Sequence, residues 1–299
     1  MRRINLLDSG LDDVAPALGA EQIRARLYEL GDGEPSQPYH FHHGVEEWVL
    51  GVAGSPTVRS PEGERKLRPG DVVCFPVGPS GAHRVTGPGT VLVLGESRDL
   101  DTVEYPDSGE LAVFPPGKVF RTADGADASA DDEHDRRPPR LPRAVTEPVN
   151  VYEIRVEANP ASPAGYRSSK AELGPSLGAA RLGATVYEID SGQSGSPYHF
   201  EGVEEEWLIV LTGTPTLRDP EGEHELAPGD VVCFETGPAG AHKVTNRSAV
   251  VARFLMLSTI PDKELSICVY PDSDKVGVWP WPAKRLRMSA AVDYWEGEA

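Results

Sequence analysis

Short apolar runs, broken by turn residues, dominate the sequence. Residues 48–52 and 91–94 are two such runs, and Pro-Glu-Gly-Glu turns stand at 61–64 and 220–223. Short runs at regular spacing with frequent turn signals predict an all-β sandwich or barrel. Helical periodicity is weak, and only residues 11–30 allow a short helix.

The chain contains an internal repeat. Residues 28–86 align without a gap on residues 187–245, and more than half of the aligned positions are identical. The best-matched block is 69–75 against 228–234, which are identical, and the copies align again at the Tyr-Pro-Asp-Ser motifs 105–108 and 270–273. Solenoid repeats are a few tens of residues long and need at least three copies. A period this long therefore predicts two copies of a whole domain.

The stretch between the two copies differs in composition from both. Residues 123–146 are first acidic and then rich in Pro and Arg, with almost no large apolar side chains. Such segments cannot bury enough surface to fold, so we expect an exposed, disordered linker. We accordingly predict an N-terminal domain at 1–122 and a C-terminal domain at 147–299.

Histidine and carboxylate side chains recur at matching places in the two copies. The first copy carries, in order, His40, His42, Glu47 and His83. Positions i and i+2 of a strand face the same side, so His40 and His42 should project together. Three imidazoles and one carboxylate make a ligand set for Mn, Fe, Ni, Cu or Zn. The corresponding residues of the second copy are His199, Glu201, Glu206 and His242.

Charge, apolar runs and cysteine content restrict the partners and the compartment. The chain has 29 Lys and Arg against 47 Asp and Glu, a net charge of −18, which disfavours nucleic acid and anionic membranes as partners. No apolar run is long enough to cross a bilayer, and acidic residues soon interrupt the start of the chain, so no secretory signal is predicted. Three cysteines do not suggest a disulfide framework, and we expect a cytoplasmic protein.

These motifs resemble those of the cupin superfamily. The first cupin signature, His-x-His followed by Glu and Gly, is matched by His40, His42, Glu47 and Gly54. The second signature is matched by Gly70, Pro76, Gly78 and His83, with four residues before the histidine where two are usual. The match covers most of each half, so the chain resembles a bicupin. This resemblance implies two tandem jelly-roll barrels, each a double-stranded β-helix, and selects Glu47 over Glu46 as the ligand.

The second copy departs from the cupin pattern. Glu201 stands where the first copy has His42, and Glu235 where it has Pro76. Two histidines and two carboxylates form a harder ligand set, shifted towards Mn or Fe and away from Cu. Two neighbouring carboxylates without a metal would repel each other and raise one pKa, and a divalent cation would remove that penalty.

The resemblance implies a metal-dependent enzyme acting on a small oxygenated organic substrate. The divalent transition metal would be Mn, Fe, Ni or Zn, one ion per domain, with coordination positions left open for the substrate. Dioxygenation, decarboxylation and isomerisation are all compatible with the motifs. No catalytic residue is identified, and outside the ligand sets Glu235 is only a weak candidate for a general base.

Three other interpretations stay open. The histidines could be buried structural residues of a barrel without metal, or the protein could be a non-catalytic module that binds a small molecule or a sugar. The first copy could also be the active one and the second structural or regulatory. A homodimer, or pairing of the two halves within one chain, would cover exposed sheet edges.

Several neighbours of the candidate ligands are expected to be structural. Alternation along the strand turns Glu46 and Trp48 away from the site, and His43 should lie at the surface. An isolated cysteine in a strand is more often a small buried hydrophobe than a ligand. We interpret the cysteines in this way; they are Cys74, Cys233 and Cys268.

Overall fold

The computed structural model describes residues 2–8, 10, 12–121, 147–260, 265–279, 284–293 and 295–297. The predicted linker at 123–146 lies outside the described residues. Before it the strands are β1 (Arg3–Asn5), β2 (Ile23–Leu30), β3 (Phe41–His42), β4 (Glu47–Gly54), β5 (Thr57–Ser60), β6 (Gly63–Lys66), β7 (Asp71–Phe75), β8 (Arg84–Thr86), β9 (Gly89–Glu96), β10 (Asp101–Tyr105), β11 (Glu110–Phe114) and β12 (Lys118–Arg121). After it they are β13 (Val149–Asn150), β14 (Glu157–Ala158), β15 (Ser168–Glu172), β16 (Leu182–Ile189), β17 (Phe200–Glu201), β18 (Glu206–Thr212), β19 (Thr216–Asp219), β20 (Gly222–Glu225), β21 (Asp230–Phe234), β22 (Lys243–Thr245), β23 (Ala252–Thr259), β24 (Ser266–Tyr270), β25 (Lys275–Trp279) and β26 (Lys284–Arg287).

Helical structure is short and sparse in the described residues. The α-helices are α1 (Val14–Leu18) and α2 (Gly174–Leu177), and 3-10 turns span Pro79–Gly81, Pro238–Gly240, Pro271–Ser273 and Met288–Ala290. The expected helix within 11–30 is present as α1, but most of the rest of that stretch forms β2. None of these helices has the length and apolar character required to cross a bilayer.

The chain divides into two compact units that interleave along the sequence. The unit called here the first barrel comprises Arg24–Asn150 and Gly174–Ala180. The second barrel comprises Met1–Ile23, Val151–Leu173 and Arg181–Ala299. In this exchange Met1–Ile23, which precedes the first repeat, is grouped with the second barrel, and Gly174–Ala180, shortly before the second repeat, is grouped with the first.

Both barrels are built from antiparallel sheets, in agreement with the predicted all-β class. The first has sheets ordered β13-β7-β4-β9-β2, β12-β11-β10-β3 and β6-β5-β8. The second has sheets ordered β1-β21-β18-β23-β16-β15-β14, β17-β24-β25-β26 and β20-β19-β22. The exchanged segments supply β1 to the second barrel, where it pairs with β21.

The core of each barrel is formed by the repeated apolar strands. In the first barrel it contains Leu30, Val49, Val58, Leu67, Val73, Phe75, Val85 and Val91. In the second it contains Ile189, Leu208, Val210, Leu217, Leu226, Val232, Phe234, Val244, Ala252 and Phe254. Burial of one such side chain contributes about 1.5–3 kcal/mol relative to leaving it exposed. Glu47 and Glu206 begin the central strands β4 and β18, so these cores fix where the two carboxylates stand.

Candidate metal centres

The first barrel brings together the four residues singled out in the first copy. Three imidazole Nε2 atoms surround Glu47 Oε2, at 3.4 Å from His40, 3.0 Å from His42 and 3.4 Å from His83. All four residues are buried. The cluster therefore consists of three imidazoles around one carboxylate oxygen inside the barrel.

Backbone carbonyls fix the orientation of two of these imidazoles. His40 Nδ1 donates to the Pro38 carbonyl at 2.8 Å, and His83 Nδ1 donates to the Gly81 carbonyl at 2.9 Å. Because a carbonyl oxygen only accepts hydrogen bonds, Nδ1 carries the proton and Nε2 keeps its lone pair. The lone pairs of both rings consequently point at the centre of the cluster.

The local backbone explains the unusual spacing before His83. The extra residues form the turn Pro79–Gly81, and a Cβ on Gly81 would lie 1.8 Å from the Pro76 carbonyl oxygen, so only glycine fits. Phe75 then stacks on the His83 ring at 3.8 Å between centroids. Turn and ring stack together set the position of His83.

Two further side chains, Asp101 and Arg24, contact the cluster and were not predicted from the sequence. Asp101 Oδ2 accepts from His42 Nδ1 at 2.5 Å, and Arg24 Nη2 donates to Glu47 Oε1 at 3.0 Å. A carboxylate behind a histidine is the usual device for orienting a metal-binding imidazole. No sequence signal singles out either residue, since the contacts join positions 23 and 59 residues apart in the chain.

The electrostatics of the first centre suit a cation. Burial lowers the pKa of His42, but the Glu47 and Asp101 carboxylates outweigh burial and raise it to about 9. Burial, followed by the neighbouring His40, lowers the pKa of His83 to about 3. Three buried atoms of this cluster have no hydrogen-bond partner: His40 Nε2, His42 Nε2 and Glu47 Oε2. Unpartnered buried polar atoms are costly, and a metal ion among them would satisfy all three, so the residues fit such an ion.

The second barrel repeats the arrangement with wider spacing. His199 Nε2 lies 3.7 Å from Glu201 Oε1 and 3.9 Å from Glu206 Oε2, and His242 Nε2 lies 3.6 Å from Glu206 Oε2. The Nδ1 atoms of His199 and His242 donate to the carbonyls of Pro197 and Gly240 at 2.8 and 2.9 Å. The four predicted residues of the second copy thus also lie together.

The second centre is rich in carboxylates. Burial raises the pKa of Glu201 to about 7. Burial, with the charges of Glu201 and Glu204, raises that of Glu206 to about 8. Four buried atoms at the second centre have no hydrogen-bond partner: Glu201 Oε2, Glu204 Oε2, Glu206 Oε2 and His242 Nε2. The sequence predicted repulsion between two carboxylates; the structure adds Glu204 as a third, and the set fits a cation.

A thiol also borders the second centre. Cys268 is buried, and its Sγ lies within 4.8 Å of donor atoms of His199 and Glu201. Residues that could hold a metal ion around His199 therefore form two overlapping groups, one with Glu206 and His242 and one with Glu201 and Cys268.

Apart from Cys268, the residues expected to be structural lie outside these groups. His43 is exposed and its Nε2 is 3.2 Å from Glu104. Trp48 is fully buried, and its indole N–H donates to Glu46 at 3.0 Å. Glu235, the weak candidate for a general base, is exposed and belongs to none of the donor groups of the described residues.

Comparison with known proteins agrees with this architecture. Residues 185–258 match the sequence model of the family Cupin_2, described as a cupin domain. A comparison with curated proteins gives no significant match.

Solved structures extend the similarity to both barrels. Oxalate decarboxylase from Lactobacillus farciminis, in a formate complex, has a TM-score of 0.53 and 15% identity, over 87% of this chain and 86% of its own. A protein from Pseudomonas aeruginosa described as glyoxylate-induced has a TM-score of 0.52 and 14% identity, over 83% of this chain and 79% of its own. Oxalate decarboxylase from Bacillus subtilis, which has Mn(II) centres, gives 0.50 and 15%, over 86% of this chain and 76% of its own. At these identities the likeness shows the fold: residues 185–258 form a cupin domain, and the chain as a whole has the fold of a two-domain cupin, a bicupin.

Proposed function

We propose that this protein is a metal-dependent enzyme acting on a small oxygenated organic molecule. One observation carries the proposal: in the first barrel three Nε2 atoms lie within 3.4 Å of a single buried oxygen of Glu47. The Nδ1 atoms of the same imidazoles are already engaged by two carbonyls and by Asp101. Such a set suits a divalent transition metal, for which Mn, Fe, Ni and Zn are the candidates.

Each barrel would hold one ion. The holding residues would be His40, His42, Glu47 and His83 in the first barrel, and His199, Glu201, Glu206 and His242 in the second. A divalent metal bound there supplies Lewis acidity or oxygen activation towards substrate oxygens. Asp101 keeps the His42 ring in place, and Arg24 brings a positive charge beside Glu47, which favours a substrate with a negative charge.

The reaction belongs to the dioxygenase, decarboxylase or isomerase type. Two structures of similar fold are named oxalate decarboxylases. Oxalate and related small carboxylates are accordingly the first compounds to test.

The test combines metal analysis with a substrate screen on the full-length protein. We expect close to one transition-metal ion per barrel and consumption of at least one small carboxylate or keto acid, abolished in His40→Ala. The exposed neighbour His43 gives the matched control, since His43→Ala should retain activity. Absence of stoichiometric metal, or equal turnover by His40→Ala, would overturn the proposal. Metal-dependent binding of a ligand without turnover would show a non-catalytic small-molecule or sugar-binding module instead.

We further propose a cytoplasmic protein with a small-molecule ligand, without nucleic acid or membrane partners. All three cysteines are free thiols, as expected in a reducing compartment. The net charge of −18 supports the exclusion of polyanionic partners. A homodimer remains a proposal, and light scattering of the purified protein would decide it.

A further inference from the structure

We infer that Cys268 is a metal ligand of the second barrel, which thereby combines imidazole, carboxylate and thiolate donors. The inference rests on the proposed function, because it adds a donor to a metal centre already proposed there. It replaces the interpretation of Cys268 as a simple buried hydrophobe.

The register of the sheet places the thiol at the centre. Cys268 on β24 is the direct antiparallel partner of Glu201 on β17. Side chains at directly opposed positions of an antiparallel pair lie on the same face, with Cβ atoms about 4.5–5.5 Å apart. The Cys268 Sγ, a ring nitrogen of His199 and a carboxylate oxygen of Glu201 all lie within 4.8 Å of one another.

A second observation points independently to a ligand at this place. His242 is 1% exposed, and its Nε2 has no hydrogen-bond partner. This nitrogen forms, with His199 and Glu206, another group of donors within 4.8 Å of one another. His199 belongs to both groups, so an ion bound by His199 would have donor atoms of both groups as candidate ligands.

The first barrel has no thiol at the corresponding position. There the strand partner of His42 is Val103, where the second barrel pairs Glu201 with Cys268. Thiolate ligands favour thiophilic ions, whereas imidazole and carboxylate sets also suit Mn. The two barrels should therefore differ in metal preference, the second selecting Zn or Co over Mn. On binding, the thiol loses its proton to solvent as the sulfur–metal bond forms.

The experiment uses cobalt as a spectroscopic probe in the full-length chain. His40→Ala and His42→Ala disable the first barrel, and Co(II) is added under anaerobic, reducing conditions. The second barrel should bind one equivalent and show a thiolate-to-cobalt charge-transfer band in the near ultraviolet. Cys268→Val, which copies Val103 of the first barrel, should still bind cobalt but lose this band and lower the Zn-to-Mn affinity ratio. Cys233→Ala, in the same barrel, should keep the band.

The outcomes separate this inference from the proposed function. Stoichiometric cobalt without the band, or a band that survives Cys268→Val, would overturn the thiolate ligand and leave the metal centre standing. No cobalt binding at all would overturn both. If circular dichroism shows that Cys268→Val does not fold, Cys268→Ser is measured in its place, and loss of the band with retained cobalt is again the expected result.

Discussion

At the scale of single residues, Asp101 determines how the first barrel presents His42. One carboxylate oxygen accepts from His42 Nδ1, and the other accepts from the backbone N–H groups of Gly44 and Thr102. Among the described residues of the second barrel this contact has no counterpart, since Glu201 replaces His42. The two centres thus differ in how their candidate ligands are held as well as in which residues these are.

Asp101→Asn should weaken metal binding in the first barrel about 10–100-fold, because loss of a partner behind a ligating histidine typically has that effect. Competition with a chelator, in a background with the second-barrel histidines replaced, measures it. Asp107→Asn is the control, because Asp107 pairs with Arg59 at the surface. Equal affinities for the two variants would show that Asp101 does not position His42.

The stability of metal-free protein should depend on Glu206. In the folded protein the pKa of Glu206 is raised from 4.5 to about 8, so the folded state binds this proton more tightly than the unfolded chain. The resulting contribution to the free energy of unfolding is complete below pH 4.5 and is lost as the pH rises towards 8. Wild-type protein freed of metal should therefore lose more stability over this range than Glu206→Gln, measured by chemical denaturation. Parallel pH profiles for the two proteins would contradict the assignment.

The candidate ligands could be predicted from the sequence because their order is repeated in the two copies and matches the two signatures that the chain resembles. His40 and His42 lie two apart in sequence, and the second copy repeats the order of ligand positions. Asp101 reaches the site only through the pairing of β10 with β3, 59 residues from His42. No local periodicity encodes such a contact, and the same holds for Cys268.

At the scale of elements, the 3-10 turn before His83 positions the imidazole of this residue. Gly81 allows close approach to Pro76, and its carbonyl accepts from His83 Nδ1. The second barrel repeats this with Gly240, whose Cβ would lie 1.8 Å from the Glu235 carbonyl oxygen. In both copies the turn therefore places the glycine carbonyl that orients the following histidine ring.

Gly81→Ala should displace His83 and lower both metal content and thermal stability, because the added methyl group overlaps the Pro76 carbonyl oxygen. Gly174→Ala in the same barrel is the matched control, since its Cβ would meet nothing within 4 Å. Elemental analysis and thermal unfolding measure both effects. A Gly81→Ala protein with normal metal content and stability would rule out this role for the turn.

The repeated Tyr-Pro-Asp-Ser motif also has a structural explanation. Asp107 binds both terminal nitrogens of Arg59 at 2.6 and 3.0 Å, and that guanidinium lies 4.0 Å from the centroid of the Tyr39 ring. Asp272 and Arg218 make the same arrangement in the second barrel. The aspartate of the motif therefore links the turn after β10 to β5 in the first barrel, and the turn after β24 to β19 in the second.

At the scale of the whole molecule, each barrel includes a segment that shortly precedes the other repeat in the sequence, Met1–Ile23 in the second barrel and Gly174–Ala180 in the first. Glu205 Oε2 accepts from the backbone N–H of Glu21 and Gln22 at 2.6 and 3.0 Å. In the first barrel Glu46 Oε2 accepts from the N–H of Ala180 at 2.8 Å. The fold class could be predicted from short apolar runs and the repeat, but this exchange depends on pairings between residues more than a hundred positions apart.

Deletion of residues 2–20 should destabilise the second barrel and leave the stability of the first unchanged, although these residues precede the first repeat in the sequence. It removes β1 and the buried side chains Val14 and Leu18 of α1. Hydrogen exchange should become faster in β21 (Asp230–Phe234) and stay unchanged in the equivalent strand β7 (Asp71–Phe75). Faster exchange confined to β7 would contradict the exchange of segments.

If each barrel gathers its imidazoles and carboxylates around a metal ion, the ion should be visible by anomalous X-ray diffraction from crystals of the metal-loaded protein. We expect one peak per barrel, about 2.0–2.2 Å from the histidine Nε2 atoms and the ligating carboxylate oxygens. Well-ordered side chains in both barrels without an anomalous peak would contradict it.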